Sequence, residues 1–277
     1  MNIEEFVERK LCEPNQYKIT YIAFLDILGF KEKCSKKELS CEEIKAIFND
    51  VELLKFNFDS KFSKLIFSKE TCEKTTFTIM SDSIVISAPD NDEGLSFLLY
   101  LCSFIHNAFL RNKIMIRGGI AKGEFYKLNN IMYGPAFIDA YKLESETAIY
   151  PRTVIADDII DDLKCRNFFR KKTADESLLT YKNKEKNENN RKTEIEMFIK
   201  QSTEDKTYFV NYFNILEMLP LNMTEKKIKT ITDFVYSGLQ INNARIRQKY
   251  KWLYEYFFQS LSTCFSNTIN KKEQNDG

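Results

Sequence analysis

Two rhythms of apolar residues alternate along the chain. Tyr21-Ile22-Ala23-Phe24-Leu25, Phe77-Thr78-Ile79-Met80 and Ile84-Val85-Ile86 are short runs with the length and composition of strands. Between and after them, Ile44, Ile47, Phe48, Val51 and Leu54, then Leu95, Leu98, Leu99, Cys102 and Ile105, recur at helical spacing. The pattern predicts strand 19–25, helix 41–56, strand 75–81, strand 83–88, helix 93–110 and strand 113–121, with Asp90-Asn91-Asp92 capping the second helix. That order, β-α-β-β-α-β, is the split arrangement of a palm-like or ferredoxin-like sheet, so an α+β fold is expected.

Further along, 124–126 and 131–133 read as a hairpin around Lys127-Leu128-Asn129-Asn130, and Gly134-Pro135 opens a helix carrying Phe137, Ile138, Tyr141 and Leu143. Thr153-Val154-Ile155-Ala156 is a last short strand, followed by Asp157 or Asp158 as a cap. Residues 182–192 contain no apolar side chain and cannot repay their ordering entropy, which predicts a mobile loop near 182–193. Residues 208–213 fit a strand or a buried turn, and Asn222-Met223-Thr224-Glu225 is a capping box for a long amphipathic helix. The basic-aromatic stretch 245–252 continues that helix or starts another, its spacing pointing to core and dimer packing with a solvated charged face. The expected organisation is an N-terminal segment 1–17, a βαββαβ-containing domain 18–160 and a helical C-terminal extension 161–277.

Composition narrows the partners. With 43% hydrophobic and 29% charged residues the 277-residue chain has the make-up of a soluble globular protein. Its net charge of +1 argues against a nucleic-acid partner held by bulk charge. Neither a signal-peptide pattern nor a membrane-length apolar run is present, so a cytoplasmic protein without a membrane partner is expected. Seven scattered cysteines with no C-x-x-C pair suit a reducing compartment. The single histidine, His106, lies in an apolar helical run and is expected to be structural, which removes histidine triads and multi-histidine metal sites.

Two aspartates carry the chemistry. Asp26 follows a buried strand and Asp82 sits at the Ser81-Asp82-Ser83 hairpin tip, so each offers a carboxylate at a sheet end. Hard cations such as Mg²⁺ and Mn²⁺ take oxygen ligands, and two of them can clamp a phosphoryl transfer. The competing but less favoured roles are a helix cap for Asp26 and a hairpin-turn residue for Asp82.

Four segments in order, Phe24-Leu25-Asp26-Ile27-Leu28-Gly29-Phe30, Ser81-Asp82-Ser83-Ile84-Val85, Ile116-Arg117-Gly118-Gly119-Ile120-Ala121-Lys122-Gly123 and the run from Gly134 through Glu144, resemble the signatures of class III nucleotidyl cyclases over roughly residues 18–158. The resemblance implies that Asp26, Asp82 and the Ile27 carbonyl hold two Mn²⁺ or Mg²⁺ ions. It also implies that backbone N–H groups of about Leu28, Gly29, Phe30 and Lys31 face the nucleotide phosphates. Class III sites form between two subunits, so a homodimer is implied, with the long helix after Asn222 as a surface for it.

Departures from the family refine the substrate. A base-reading lysine four residues before the second metal aspartate is replaced by Thr78, and a polar group three residues before the helix-opening glycine by Ile131. The transition-state asparagine falls on Ile138, and the arginine four residues later becomes Lys142, a point charge without bidentate geometry. Retained metal aspartates with lost purine contacts resemble the bacterial anti-phage Pycsar cyclases, which make cyclic UMP or cyclic CMP. This implies a UTP or CTP cyclase in anti-phage defence, uridine slightly favoured, with Lys142 catalytic. Arg117 and Arg152 are further substrate-binding candidates or else structural ion-pair partners. Rival readings are an adenylate or guanylate cyclase with unusual base contacts and a degenerate nucleotide-binding sensor. A polymerase or diguanylate cyclase on the same palm lacks its Gly-Gly-Asp/Glu-Glu-Phe hairpin here.

Overall fold

The computed structural model describes residues 18–35, 67–128, 131–169, 195–214 and 221–273, together with Glu42 and Lys45. The predicted helix over 41–56, the loop near 182–193 and the segment 1–17 therefore lie wholly or almost wholly outside the described residues.

Strand β1 (Lys18–Ile27) outruns the predicted 19–25 by one residue before and two after, and carries Asp26 inside the ladder. Helix α1 (Phe30–Ser35) follows directly. Next come α2 (Lys69–Lys74), β2 (Thr76–Met80), β3 (Ser83–Pro89) and α3 (Asp92–Arg111). Asn91 caps α3, its side chain accepting from the Gly94 N–H. The expected strand 113–121 and the first arm of the later hairpin are one element, β4 (Ile116–Leu128), which starts late because Lys113 takes a left-handed turn at φ +59°. Its far end pairs with β5 (Ile131–Tyr133). Helix α4 (Pro135–Lys142) runs into a π-helical turn at Leu143–Thr147, then β6 (Thr153–Ile155) and α5 (Asp157–Cys165). The C-terminal part is not helical alone, since β7 (Ile199–Gln201) and β8 (Tyr208–Val210) precede α6 (Leu221–Leu239) and α7 (Ala244–Glu273). The 208–213 segment is both a strand and a buried turn, and Asn222 lies within α6, so the expected capping box does not mark its start.

These strands form one mixed sheet in the order β2-β3-β1-β4-β6-β8-β7, with β5 hydrogen-bonded to β4 alone. β1 lies between β3 and β4 and is antiparallel to both, while β4 and β6 run parallel. The sheet crosses the expected boundary at residue 160. Its faces are covered by different helices. Tyr21, Ala23, Leu25 and Ile27 point into the main core against α3, and Ile22 and Phe24 point to the opposite face under Ala136 and Ala140 of α4. Gly119 allows that close approach, because a Cβ there would lie 2.3 Å from the Ala140 carbonyl oxygen. A third cluster joins α6 and α7 to the sheet end through Phe209, Tyr212, Trp252, Leu253 and Tyr256.

Helix α3 is the one described helix long and apolar enough to cross a membrane, and 83% of its apolar stretch is buried within the fold. His106 on α3 is fully enclosed, hydrogen-bonded to Thr153 Oγ1 at 2.8 Å and stacked on Tyr212. Burial holds its pKa down at about 3, so it stays neutral as a core residue.

Candidate active site

Strand register creates the site. Asp26 continues the Ile22-Phe24 row onto the α4 face, directly opposite Ser83 on β3 and Arg117 on β4. Ser81 and Asp82 form a two-residue connection between the paired Met80 and Ser83, with Ser81 in the left-handed region at φ +56°. The Ile27 N–H donates to the Asp82 carbonyl at 3.1 Å, which ties the hairpin tip to the end of β1. Asp26 and Asp82, fifty-six positions apart in sequence, thus become neighbours.

The electrostatics record that closeness. Burial first, and then the Asp82 charge, lift the Asp26 carboxyl from 3.8 to about 6, while Arg117 and Lys249 pull it down. Arg117 Nε stands 3.8 Å from Asp26 Oδ2 and 2.6 Å from Glu144 Oε1. The latter contact is an ion pair without an aligned hydrogen bond, leaving both buried atoms with hydrogen-bonding capacity to spare. Glu144, on the π-helical turn, is only 3% exposed. Burial raises its pKa to about 7, against the pull of Arg117 and with help from Asp26 and Asp82.

Two adjacent carboxylates, one of them raised by burial and then by the other's charge, form an oxygen donor set that a hard divalent cation would satisfy. Asp26 and Asp82 fit the implied metal on that chemistry, and the Ile27 carbonyl belongs to the same strand end. Beside them, Gly29 at φ +78° turns the chain into α1. Gly29, Phe30 and Lys31 open that helix, where N–H groups have no intrahelical acceptor. Leu28 does not join them, because its N–H is already bonded to the Met115 carbonyl at 2.9 Å.

The remaining expected residues separate. Thr78 shares the site face of the sheet through its pairing with Val85, and its hydroxyl accepts from Lys127 Nζ at 2.8 Å. Ile131 lies on the short strand β5 and is 60% exposed. Ile138 and Lys142 are exposed on α4, and Lys142 is 4.0 Å from Asp139. Within this subunit Lys142 forms no contact with the carboxylate pair. Arg152 is buried completely, bidentate to Asp205 and set over the rings of Tyr150, Phe209 and Trp252. It takes the structural ion-pair role and presents no free cation to a nucleotide.

Sequence reasoning passed over three neighbours of the site. Glu144 closes a quoted motif, and its signal is an acidic residue at a helical position that should be apolar. Lys127 was placed in a turn, although strand alternation from Phe125 puts it on the site face. Lys249 comes from α7, 223 residues after Asp26, and nothing in the local pattern marks it. No protein-family model matches this chain, and no curated protein matches it.

Proposed function

We propose that this chain is a metal-dependent nucleotidyl cyclase of class III type, acting on a pyrimidine triphosphate, UTP before CTP, in bacterial anti-phage defence. The observation that carries the reading is the pairing of Asp26 with Asp82 at adjacent strand ends, with the Asp26 carboxyl raised by burial and then by its neighbour. The antiparallel order β4-β1-β3-β2 supports it, because that is the order of a palm-like βαββαβ sheet with its hairpin carboxylate beside the first strand.

In this reading Asp26, Asp82 and the Ile27 carbonyl hold the metal ions. Bound divalent cations supply the positive charge that makes a ribose 3′-hydroxyl acidic and neutralises a triphosphate. The 3′-oxygen attacks the α-phosphorus, the bond to the β-phosphate oxygen breaks, and pyrophosphate leaves with the nucleotide closed into a 3′,5′-cyclic monophosphate. The chain contributes alignment: Glu144 holds Arg117 beside Asp26, and the start of α1 offers amide donors to phosphate oxygens. Lys142 is exposed on α4 next to exposed Tyr141 and Ile138, and in this reading it acts in the site of a partner subunit in a homodimer.

Base choice rests on Thr78 and Lys127. The ammonium held at Thr78 is a donor, which complements the O4 carbonyl of uracil and not the amino group of cytosine. The same lysine favours one second reading, GTP, since guanine also presents a carbonyl. Incubating the protein with each of the four ribonucleoside triphosphates and Mn²⁺, followed by mass spectrometry, decides the matter. Cyclic UMP as the main product is expected; cyclic GMP would establish the second reading, and no cyclic product would remove the cyclase assignment.

A further inference from the structure

The C-terminal helix brings positive charge to the carboxylate pair, where Lys249 and Asp26 act on each other electrostatically. Helix α7 is fastened beside the site by Trp252 and Leu253, which lie in the cluster that Leu28, two residues after Asp26, packs against. Tyr150 stacks on Trp252 with ring centroids 5.5 Å apart, and the Gln248 amide donates to its hydroxyl at 3.2 Å. One turn before Trp252 and Leu253, on the same side by helical spacing, stands half-buried Lys249, and one turn earlier stands Arg245. Among the described residues neither makes an ion pair. By contrast Lys251, facing elsewhere, is 70% exposed and reaches Glu255 at 3.8 Å.

We propose that Lys249 and Arg245, with Arg117, form a cationic seat for the polyphosphate chain of the nucleotide, so that the C-terminal extension completes the site of its own subunit. This deepens the cyclase reading and rests on it for the identity of the nucleotide. Arg117 is ion-paired with Glu144, Lys249 lies in the field of Asp26, and Arg245, exposed one turn earlier on α7, makes no ion pair among the described residues. Their mutual influence is direct: the Lys249 ammonium is disfavoured by burial and then by Arg117 and Arg245, and favoured by Asp26. With divalent cations offsetting Asp26 and Asp82, the remaining positive charge of this row attracts an anion. An anion that also brings divalent cations to Asp26 and Asp82 is a polyphosphate. Arg245 can engage it bidentately, and Lys249 acts as a point charge.

The bland alternative is that Lys249 merely offsets Asp26, and binding of inorganic tripolyphosphate separates the two. Isothermal titration of the full chain in excess Mg²⁺ uses wild type, Lys249→Ala, the double variant Lys249→Ala/Arg245→Ala, and Lys251→Ala as a charge-matched control on the same helix. The expected affinity loss is about tenfold for the single variant and about a hundredfold for the double, with Lys251→Ala within about twofold. A thermal melt of each variant identifies any that fail to fold; if the alanines do, Lys249→Gln and Arg245→Gln replace them. Wild type that binds no tripolyphosphate, or a folded double variant within about twofold of it, overturns the inference. Lys249-dependent tripolyphosphate binding in a protein that cyclises none of the four nucleotides overturns the cyclase reading alone.

Discussion

Asp26→Asn measures what it costs to bury a carboxylate beside another. In the folded protein burial, followed by the Asp82 charge, raises the Asp26 pKa from 3.8 to about 6. The folded state thus holds the proton more tightly than the unfolded chain. Between those two values stability falls as pH rises, and above pH 6 the loss is complete. A displacement of that size corresponds to roughly 3 kcal/mol. The side chain keeps 22% of its exposure, and solvent screening brings the expected cost to about 1–2 kcal/mol. The asparagine removes the charge at nearly constant volume. At about pH 7.5 without divalent metal the variant should melt about 2–6 °C above wild type, the difference shrinking below pH 6 and vanishing near pH 4. Saturating Mn²⁺ should reverse the order, since a ligand at about 100 times its Kd adds about 2.7 kcal/mol to the protein that binds it. Scanning calorimetry across pH, with and without Mn²⁺, reads both effects. A variant that melts at or below wild type without metal would refute the cost assigned to the buried, paired carboxylate, and an equal Mn²⁺ response in the two proteins would refute its role as a metal ligand.

Three further outcomes are expected. Arg152→Ala removes the partner of half-exposed Asp205 and empties the space between Tyr150, Phe209 and Trp252; urea denaturation should show a loss of about 2–5 kcal/mol, chiefly from the emptied space, and a loss under about 1 kcal/mol would contradict the structural role. Gly119→Ala drives a methyl against the Ala140 carbonyl and the Leu143 side chain, so it should cost about 1–3 kcal/mol and weaken hydrogen-exchange protection in α4; unchanged protection would contradict that packing. Asp82→Ala and Lys142→Ala should each be inactive as cyclases, yet their mixture should regain partial activity through heterodimers with one intact site; demonstrated subunit exchange without recovery would place both groups in the same subunit.

Local pattern made the sheet legible. The apolar runs around Phe24 and Val85 are too short for helices and end in turn residues, so β1, β3 and the hairpin at Asp82 could be read before any coordinates. The continuity of β4 could not, because Gly118, Gly119, Lys122 and Gly123 interrupt its alternation with residues chosen for close packing and charge. β7 and β8 are three residues each, and strands that short are defined by the edge they join. The site divides in the same way. Asp26 and Asp82 were visible because each stands at the end of a local signal. Arg152 was ambiguous until its partner Asp205, fifty-three positions away, came into view. Lys249 was hidden because its role depends on how a distant helix docks, and tertiary placement leaves no mark on a short window of sequence.

The alternation of β1 has a consequence for the kinds of sequence change this protein tolerates. Leu25 and Ile27 point into the α3 core while Asp26, between them, points to the opposite face. Deleting a single residue upstream in the strand exchanges the two rows: the carboxylate enters the apolar interior and a leucine or isoleucine arrives where it stood. Substitutions in β1 can therefore be graded, but its length is all or nothing. A misaligned copy loses its stability and its acidic centre in one event, so folded but chemically empty copies should be rare among its length variants.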